Sequence, residues 1–322
     1  MSLLGGHTAA MGLNAGDTPT LVFGIGAQKA GTTWLYDWLS GRDDVHFPCF
    51  RAGDRATQLK EVHYFDKYIP DQTQRHMLMR KAIARQAARL AECDDALVPA
   101  LIERLSGRLQ HLGLLVDASG EDAAYRDWMT AGRSGERVAM DITPSYSLLD
   151  RSGFARMAAL GRNTKFILLL RDPVARLWSS VRYGLRENQA VREDFADVAA
   201  RRLAAELDQM SRNPVHRSNY RRTISELEAA VPVENVFYGF YEDLFTEDTT
   251  RAIADFLGIA HTAADFGKAV NASQSLAMPQ ELRRRALAQL QEQYEFAFDR
   301  FGARVPQKWH EAHGILSVGA RV

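Results

Sequence analysis

Leu21-Val-Phe-Gly-Ile-Gly26-Ala-Gln-Lys29-Ala-Gly31-Thr32-Thr33-Trp34-Leu35 is the stretch on which the reading of the fold turns. Leu21 to Ile25 is a short apolar run, as buried strands tend to be. Gly26 to Thr33 is a loop, and Trp34 to Leu39 carries apolar residues at helical spacing. Strand, glycine-rich loop and helix open a nucleotide-binding βα unit. The glycine spacing is that of a P-loop, which wraps backbone N–H groups around phosphate oxygens and aims a helix N-terminus at them. The ATP- and GTP-binding form needs Lys directly after the second glycine, then Ser or Thr. Here Thr32 occupies the lysine position, Lys29 lies inside the loop, and Thr33 keeps the hydroxyl that usually meets magnesium.

Outward from this unit, Thr164 to Leu170, apolar from Phe166 on and bounded by Asn163 and Arg171-Asp172-Pro173, reads as a buried parallel strand. Val45 to Phe47, Arg137 to Ile142 and Val236 to Phe240 read as further strands, and 174–186, 249–257 and 279–301 as helices. Residues 71–115 repeat apolar positions at three- and four-residue steps, with a break at Asp94-Asp95 and Pro99, and form a helical insertion. Alternating strands and helices predict an α/β fold with a central parallel sheet and helices on both faces. The expected organisation is a flexible leader over 1–20 and a single domain over 21–322. The 40 basic and 40 acidic residues of the 322 cancel, which argues against a bulk electrostatic grip on nucleic acid or an anionic membrane. No segment is apolar enough to span a bilayer, and the start lacks the pattern of a signal peptide. Cys49 and Cys93 have no metal-ligand spacing and read as free thiols of a cytoplasmic protein.

A lysine moved forward suits a phosphosulfate, whose transferred end carries less charge than a γ-phosphate and needs less metal neutralisation. Gln28-Lys-Ala-Gly-Thr-Thr-Trp-Leu35 resembles the 5'-phosphosulfate-binding loop of the sulfotransferase family, in a P-loop-like setting. The resemblance implies 3'-phosphoadenosine 5'-phosphosulfate (PAPS) as co-substrate, its desulfated form PAP as product, and no required metal. Gln28, Lys29, Ala30, Gly31, Thr32 and Thr33 would hold the phosphosulfate, with Lys29 assisting the leaving phosphate. Trp34 matches a tryptophan that stacks on the adenine in the cytosolic branch; the alternative is an ordinary core residue. Pro173 places Arg171 at the end of its strand, where open α/β sheets bind ligands. Arg171 to Ser179 resembles the family's 3'-phosphate motif, in which the first Arg and the later Ser touch the phosphate; Arg176 reads as structural. Ser218-Asn-Tyr220 resembles a further segment near the nucleotide. Asn271-Ala-Ser273 stands where the family often has Lys-Gly-Arg, which leaves open what closes the 3'-phosphate pocket.

On the acceptor side, Lys60-Glu61-Val-His63-Tyr64-Phe65 resembles a segment of the heparan sulfate sulfotransferases and their bacterial relatives. The resemblance makes Glu61 the general base and puts Lys60 beside the sulfuryl group. On an extended stretch Glu61 and His63 share a face, so His63 is a rival base. Asp141-Ile-Thr-Pro-Ser-Tyr146 resembles another segment of that group, with Ile142 where a lysine is common; this argues mildly against a polyanionic glycan. The expected acceptor is a hydroxyl or amine of a carbohydrate or small metabolite, with no code for its identity in the sequence. Two rivals stand beside this reading: a P-loop kinase or NTPase, with Asp172 as its candidate magnesium ligand, and a non-catalytic nucleotide-binding protein.

Overall fold

The structure, a computed structural model, describes residues 18–52, 55–68, 70–116, 122–187, 195–267 and 276–319. The expected leader falls almost wholly outside them; the first strand, β1 (Thr20–Gly26), begins just inside its expected limit. After β1 come α1 (Thr32–Leu39), β2 (Val45–His46) and an antiparallel hairpin of β3 (Cys49–Ala52) and β4 (Arg55–Gln58). The expected insertion forms α2 (Pro70–Leu90) and α3 (Val98–Leu115), the latter with Pro99 in its first turn. Then follow α4 (Ala123–Thr130), β5 (Val138–Asp141), a 3₁₀ turn (Pro144–Leu148), α5 (Arg151–Ala158) and β6 (Thr164–Leu170). The last third holds α6 (Pro173–Glu187), α7 (Phe195–Arg212), α8 (Tyr220–Glu228), β7 (Val236–Phe240), α9 (Glu247–Leu257), α10 (Gln280–Phe301) and α11 (Gln307–Gly319).

Five strands form one sheet in the order β2-β5-β1-β6-β7, and every pairing is parallel. Phe23 lies opposite Asp141 on one side and Phe166 on the other. Leu21 to Ile25 and Phe166 to Leu170 are buried throughout, which a strand achieves only when helices cover both faces of its sheet. That double covering is why these strands read as unbroken apolar runs.

The chain leaves β1 for β5 on one side and later returns to β6 on the other, so β1 lies at the switch in strand order. The segments that follow the C-terminal ends of β1, β5, β6 and β7 are therefore brought to one edge, where such sheets bind ligands. Hydrogen bonds fasten this edge. Ala27 N–H donates to Leu169 O (2.6 Å), Ile142 N–H to Lys60 O (3.1 Å), and Tyr241 N–H to Leu170 O (2.7 Å).

Candidate active site

The phosphate loop is shaped by backbone conformation first. Gly31 has φ 91° and precedes α1 without a side-chain cap. A Cβ there would stand 2.4 Å from Leu244 Cδ2, so only glycine permits the approach. With no side-chain cap on α1, its first-turn N–H groups are left for another acceptor, as an anion site requires. Lys29 (φ 71°) and His63 (φ 58°) are the two non-glycine residues with positive φ among the described residues. Strained backbone of this kind collects at functional sites, and both residues were candidates from sequence.

Lys60 joins the two loops. Its ammonium lies 3.0 Å from Thr33 Oγ1 and 3.1 Å from Glu61 Oε1. The hydroxyl that holds magnesium in an ATP-type P-loop therefore meets a lysine here. Lys29 turns its Nζ to the Tyr183 ring, 3.8 Å from the centroid, while its carbonyl accepts Arg171 Nη1 at 2.9 Å.

Glu61 Oε2 lies 3.2 Å from His63 Nε2, and His63 Nδ1 lies 2.8 Å from Asp66 Oδ2. Ser145 Oγ also donates to Asp66 and lies 3.0 Å from His63 Nδ1. The left-handed φ of His63 breaks the extended conformation expected of this stretch, yet the two side chains meet. An imidazole with both nitrogens against carboxylate oxygens is satisfied as the protonated ring, which donates twice. Burial acts to raise the Glu61 pKa, but the His63 hydrogen bond and the charges of Lys60 and His63 prevail and hold it at about 2.

Beneath this loop lies Asp141, fully buried. It accepts hydrogen bonds from Tyr125 Oη (2.7 Å), Tyr146 Oη (2.8 Å) and Thr143 Oγ1 (2.6 Å). The same side chains hold the backbone above: Val62 N–H donates to Thr143 Oγ1 (2.9 Å) and Tyr64 N–H to Tyr146 Oη (3.0 Å). His111 of α3 reaches Val62 O at 2.7 Å, so the insertion grips the segment between Glu61 and His63. Burial raises the Asp141 pKa from 3.8 to about 6, against the opposing hydrogen bonds and the His63 charge. A raised carboxyl stabilises the fold in its protonated form, so its contribution is complete below its ordinary pKa and is lost as pH rises through about 6. Asp141→Asn is therefore expected to remove about 1 kcal/mol of the extra stability at pH 5 relative to pH 7. Urea unfolding of both proteins at the two pH values measures it; an unchanged difference refutes the assignment.

Arg171 lies at the end of β6, with its guanidinium 4.3 Å from the Tyr241 ring centroid. It lines a cleft of about 930 Å³ with Trp178, Tyr241, Phe245, Met278 and Arg283. Ser179 is buried on α6. One turn further, Arg182 has its pKa lowered by burial and then by the charge of Arg171. The two guanidiniums are thus close enough to repel each other, and Arg182 was not read from the sequence. Tyr220 acts through Arg171: its buried hydroxyl donates to Arg171 O at 2.8 Å. The Trp34 indole is buried, near-parallel to Trp38 and Phe266 and edge-on to Phe245. Its Nε1 donates to Asp265 O at 3.2 Å. Gln28 and Ala30 complete the loop, Ala30 N–H donating to Ala27 O at 3.1 Å. Asn271 and Ser273 lie outside the described residues. Asp172 caps α6, accepting Ala175 N–H (2.7 Å) and Tyr294 Oη (2.8 Å).

The profile of the sulfotransferase family matches residues 19–263, and the chain belongs to that family. The heparan sulfate glucosamine 3-O-sulfotransferase 3B1 of Mus musculus is 28% identical over 145 residues, covering 44% of this chain and 36% of that protein. The 3A1 enzyme of Homo sapiens is 26% identical over 145 residues, covering 44% and 35%. The match thus spans about a third of the length of these curated relatives. The crystal structure of a sulfotransferase from Alicyclobacillus acidocaldarius superposes with a TM-score of 0.56, over 91% of this chain and 99% of that one. At 19% identity this is a likeness of fold. Helices α10 and α11 follow the matched segment, and Tyr294 of α10 ties them to Asp172 within it.

Proposed function

We propose that this sulfotransferase takes its sulfuryl group from PAPS and passes it, in line, to a hydroxyl or amine of a carbohydrate or small metabolite. We read residues 21–322 as one domain for this purpose. The observation that carries the reading is the ammonium of Lys60 on Thr33 Oγ1. A lysine at the magnesium position of a phosphate loop can stabilise the oxygens of a transferring sulfuryl group with no metal there. Asp172, the magnesium candidate of a kinase, is occupied as a helix cap and by Tyr294, which weighs against that rival.

PAPS supplies an activated S–O bond whose leaving group is PAP. The loop around Gly31 and the N-terminus of α1 hold the 5'-phosphate, and Arg171, Ser179 and Arg182 hold the 3'-phosphate. Glu61 takes the acceptor proton as the new bond to sulfur forms. Lys60 turns from Glu61 to the sulfuryl oxygens, which also frees Glu61 to become more basic. Lys29 leaves the Tyr183 ring for the bridging oxygen as the S–O bond breaks. Two carbohydrate-modifying relatives favour a sugar acceptor.

PAP is expected to raise the melting temperature well above any shift from ATP at equal concentration, with or without EDTA. A hundredfold excess over the dissociation constant corresponds to about 2.7 kcal/mol. Equal shifts for the two nucleotides, or a PAP shift that EDTA abolishes, would return the kinase reading to first place.

A further inference from the structure

Arg176, on the face of α6 turned away from the large cleft, is 3% exposed. Its Nε and Nη2 both donate to Ser218 Oγ, at 3.0 and 2.7 Å, and its Nη1 has no hydrogen-bond partner. No carboxylate pairs with it among the described residues. Arginine keeps its charge in proteins, and a buried charge whose hydrogen bonds go only to a neutral hydroxyl, with the Glu206 carboxylate acting on it from beyond ion-pair distance, is costly. Such a group is accounted for when something else brings the counter-charge.

Arg176 lines a cavity of about 380 Å³ together with Gln28 of the phosphate loop and Tyr183, the ring on which Lys29 rests. The cavity thus begins where the sulfuryl group is handed over. The 3₁₀ turn that sets Ser145 on His63 also brings Leu148 to its wall. Arg202 and Arg217 add two further guanidiniums, and Glu206 the one carboxylate among the lining residues. Glu206 lies 3.4 Å from Arg202 and offsets it. His216 adds no charge near neutrality, since burial and the Arg176 charge lower its pKa to about 4. The lining is therefore positive on balance, with its most buried charge unpaired.

We propose that this cavity is the acceptor subsite and that Arg176 binds an anionic oxygen group, carboxylate or sulfate, carried by the acceptor. The volume lies at the small end of ligand sites, which fits one acidic sugar or a metabolite of that size. The assignment of the ligand as acceptor rests on the sulfotransferase reading; the anion site does not.

Calorimetric titration of PAP-saturated protein with glucuronate, glucose 6-sulfate and glucose tests it. At least one of the two anions is expected to bind roughly tenfold or more tightly than glucose, and Arg176→Met to lose that margin while keeping its PAP response. The anion that binds identifies the group. Arg202→Gln, at a partly exposed position, is expected to weaken the same anion several-fold, and it decides the matter if Arg176→Met does not fold. Neither anion binding better than glucose overturns the proposal, as does undiminished anion binding in Arg176→Met or, in its place, in Arg202→Gln. An absent PAP response in the wild type refutes the sulfotransferase reading instead; the same titrations without PAP then decide whether Arg176 binds anions.

Discussion

Glu61→Gln is expected to lower the maximal rate of sulfuryl transfer by roughly 10²–10⁴-fold, the usual contribution of a general base, and to leave the PAP-induced rise in melting temperature intact. Glutamine keeps the shape and one acceptor for Lys60 but cannot take a proton. The pH profile separates this base from its rival. A carboxyl held at about 2 stays ionised as pH falls until it passes that value. Glu61 therefore gives kcat/KM no acid limb between about pH 4 and 8. His63 lies between two carboxylates, Glu61 on Nε2 and Asp66 on Nδ1, and in the proposed mechanism it positions Glu61. His63→Ala is expected to cost less than Glu61→Gln. Should folded His63→Ala be dead while Glu61→Gln turns over near the wild-type rate, the histidine is the base. If neither change matters, the acceptor is already a strong nucleophile and needs no base.

The sequence announces those parts of the fold that are buried on both sides. β6 and β7 have the expected limits, Thr164–Leu170 and Val236–Phe240, because the doubly covered part of such strands, Phe166–Leu170 in β6, is apolar. The β3–β4 hairpin gave no such signal: Cys-Phe-Arg-Ala and Arg-Ala-Thr-Gln are short and mixed in character. Helix α7 did carry a readable pattern in Ala199, Leu203 and Leu207, which are its buried positions. Asp150 caps α5, accepting Gly153 N–H at 2.9 Å, though it was not read from the sequence.

At the site, the two loops bearing Lys29 and Lys60-Glu61 were visible as motifs, but their junction through Thr33 and Lys60 is a matter of topology. Only strand order brings the ends of β1 and β5 together. The support under Glu61 was hidden for the same reason. His111 reaches Val62 from the helical insertion, which read only as a pattern of apolar repeats, and Asp141 is recognisable as a buried carboxyl only once Tyr125, Thr143 and Tyr146 are seen to converge on it. Arg182 needed the helical turn that sets it near Arg171.

Lys29 offers the second large effect, and its backbone dictates how to test it. Removing one group that stabilises developing charge in a transition state costs about 10²–10³-fold in rate. Lysine and alanine carry the same Cβ, so Lys29→Ala leaves the cost of φ 71°, roughly 1–2 kcal/mol, unchanged and isolates the charge. Asparagine tolerates the left-handed region better than either, so Lys29→Asn removes the charge while relieving part of that cost. Both variants are expected to lose about 10²–10³-fold in maximal rate. Lys29→Ala should keep a melting temperature near wild type, and Lys29→Asn should match or exceed it. Unlike Glu61→Gln, both should also bind PAP more weakly, since the lost charge sits in the phosphate loop itself. Tyr183→Leu supplies the counter-check. It removes the ring on which the ammonium rests at 3.8 Å, an attraction of about 0.5–2 kcal/mol. If the lysine must leave that ring to meet the bridging oxygen, the variant does not slow the chemical step in single-turnover measurements. A Lys29→Asn protein that turns over within tenfold of wild type would remove Lys29 from the mechanism and leave leaving-group stabilisation to Lys60 and the α1 N-terminus.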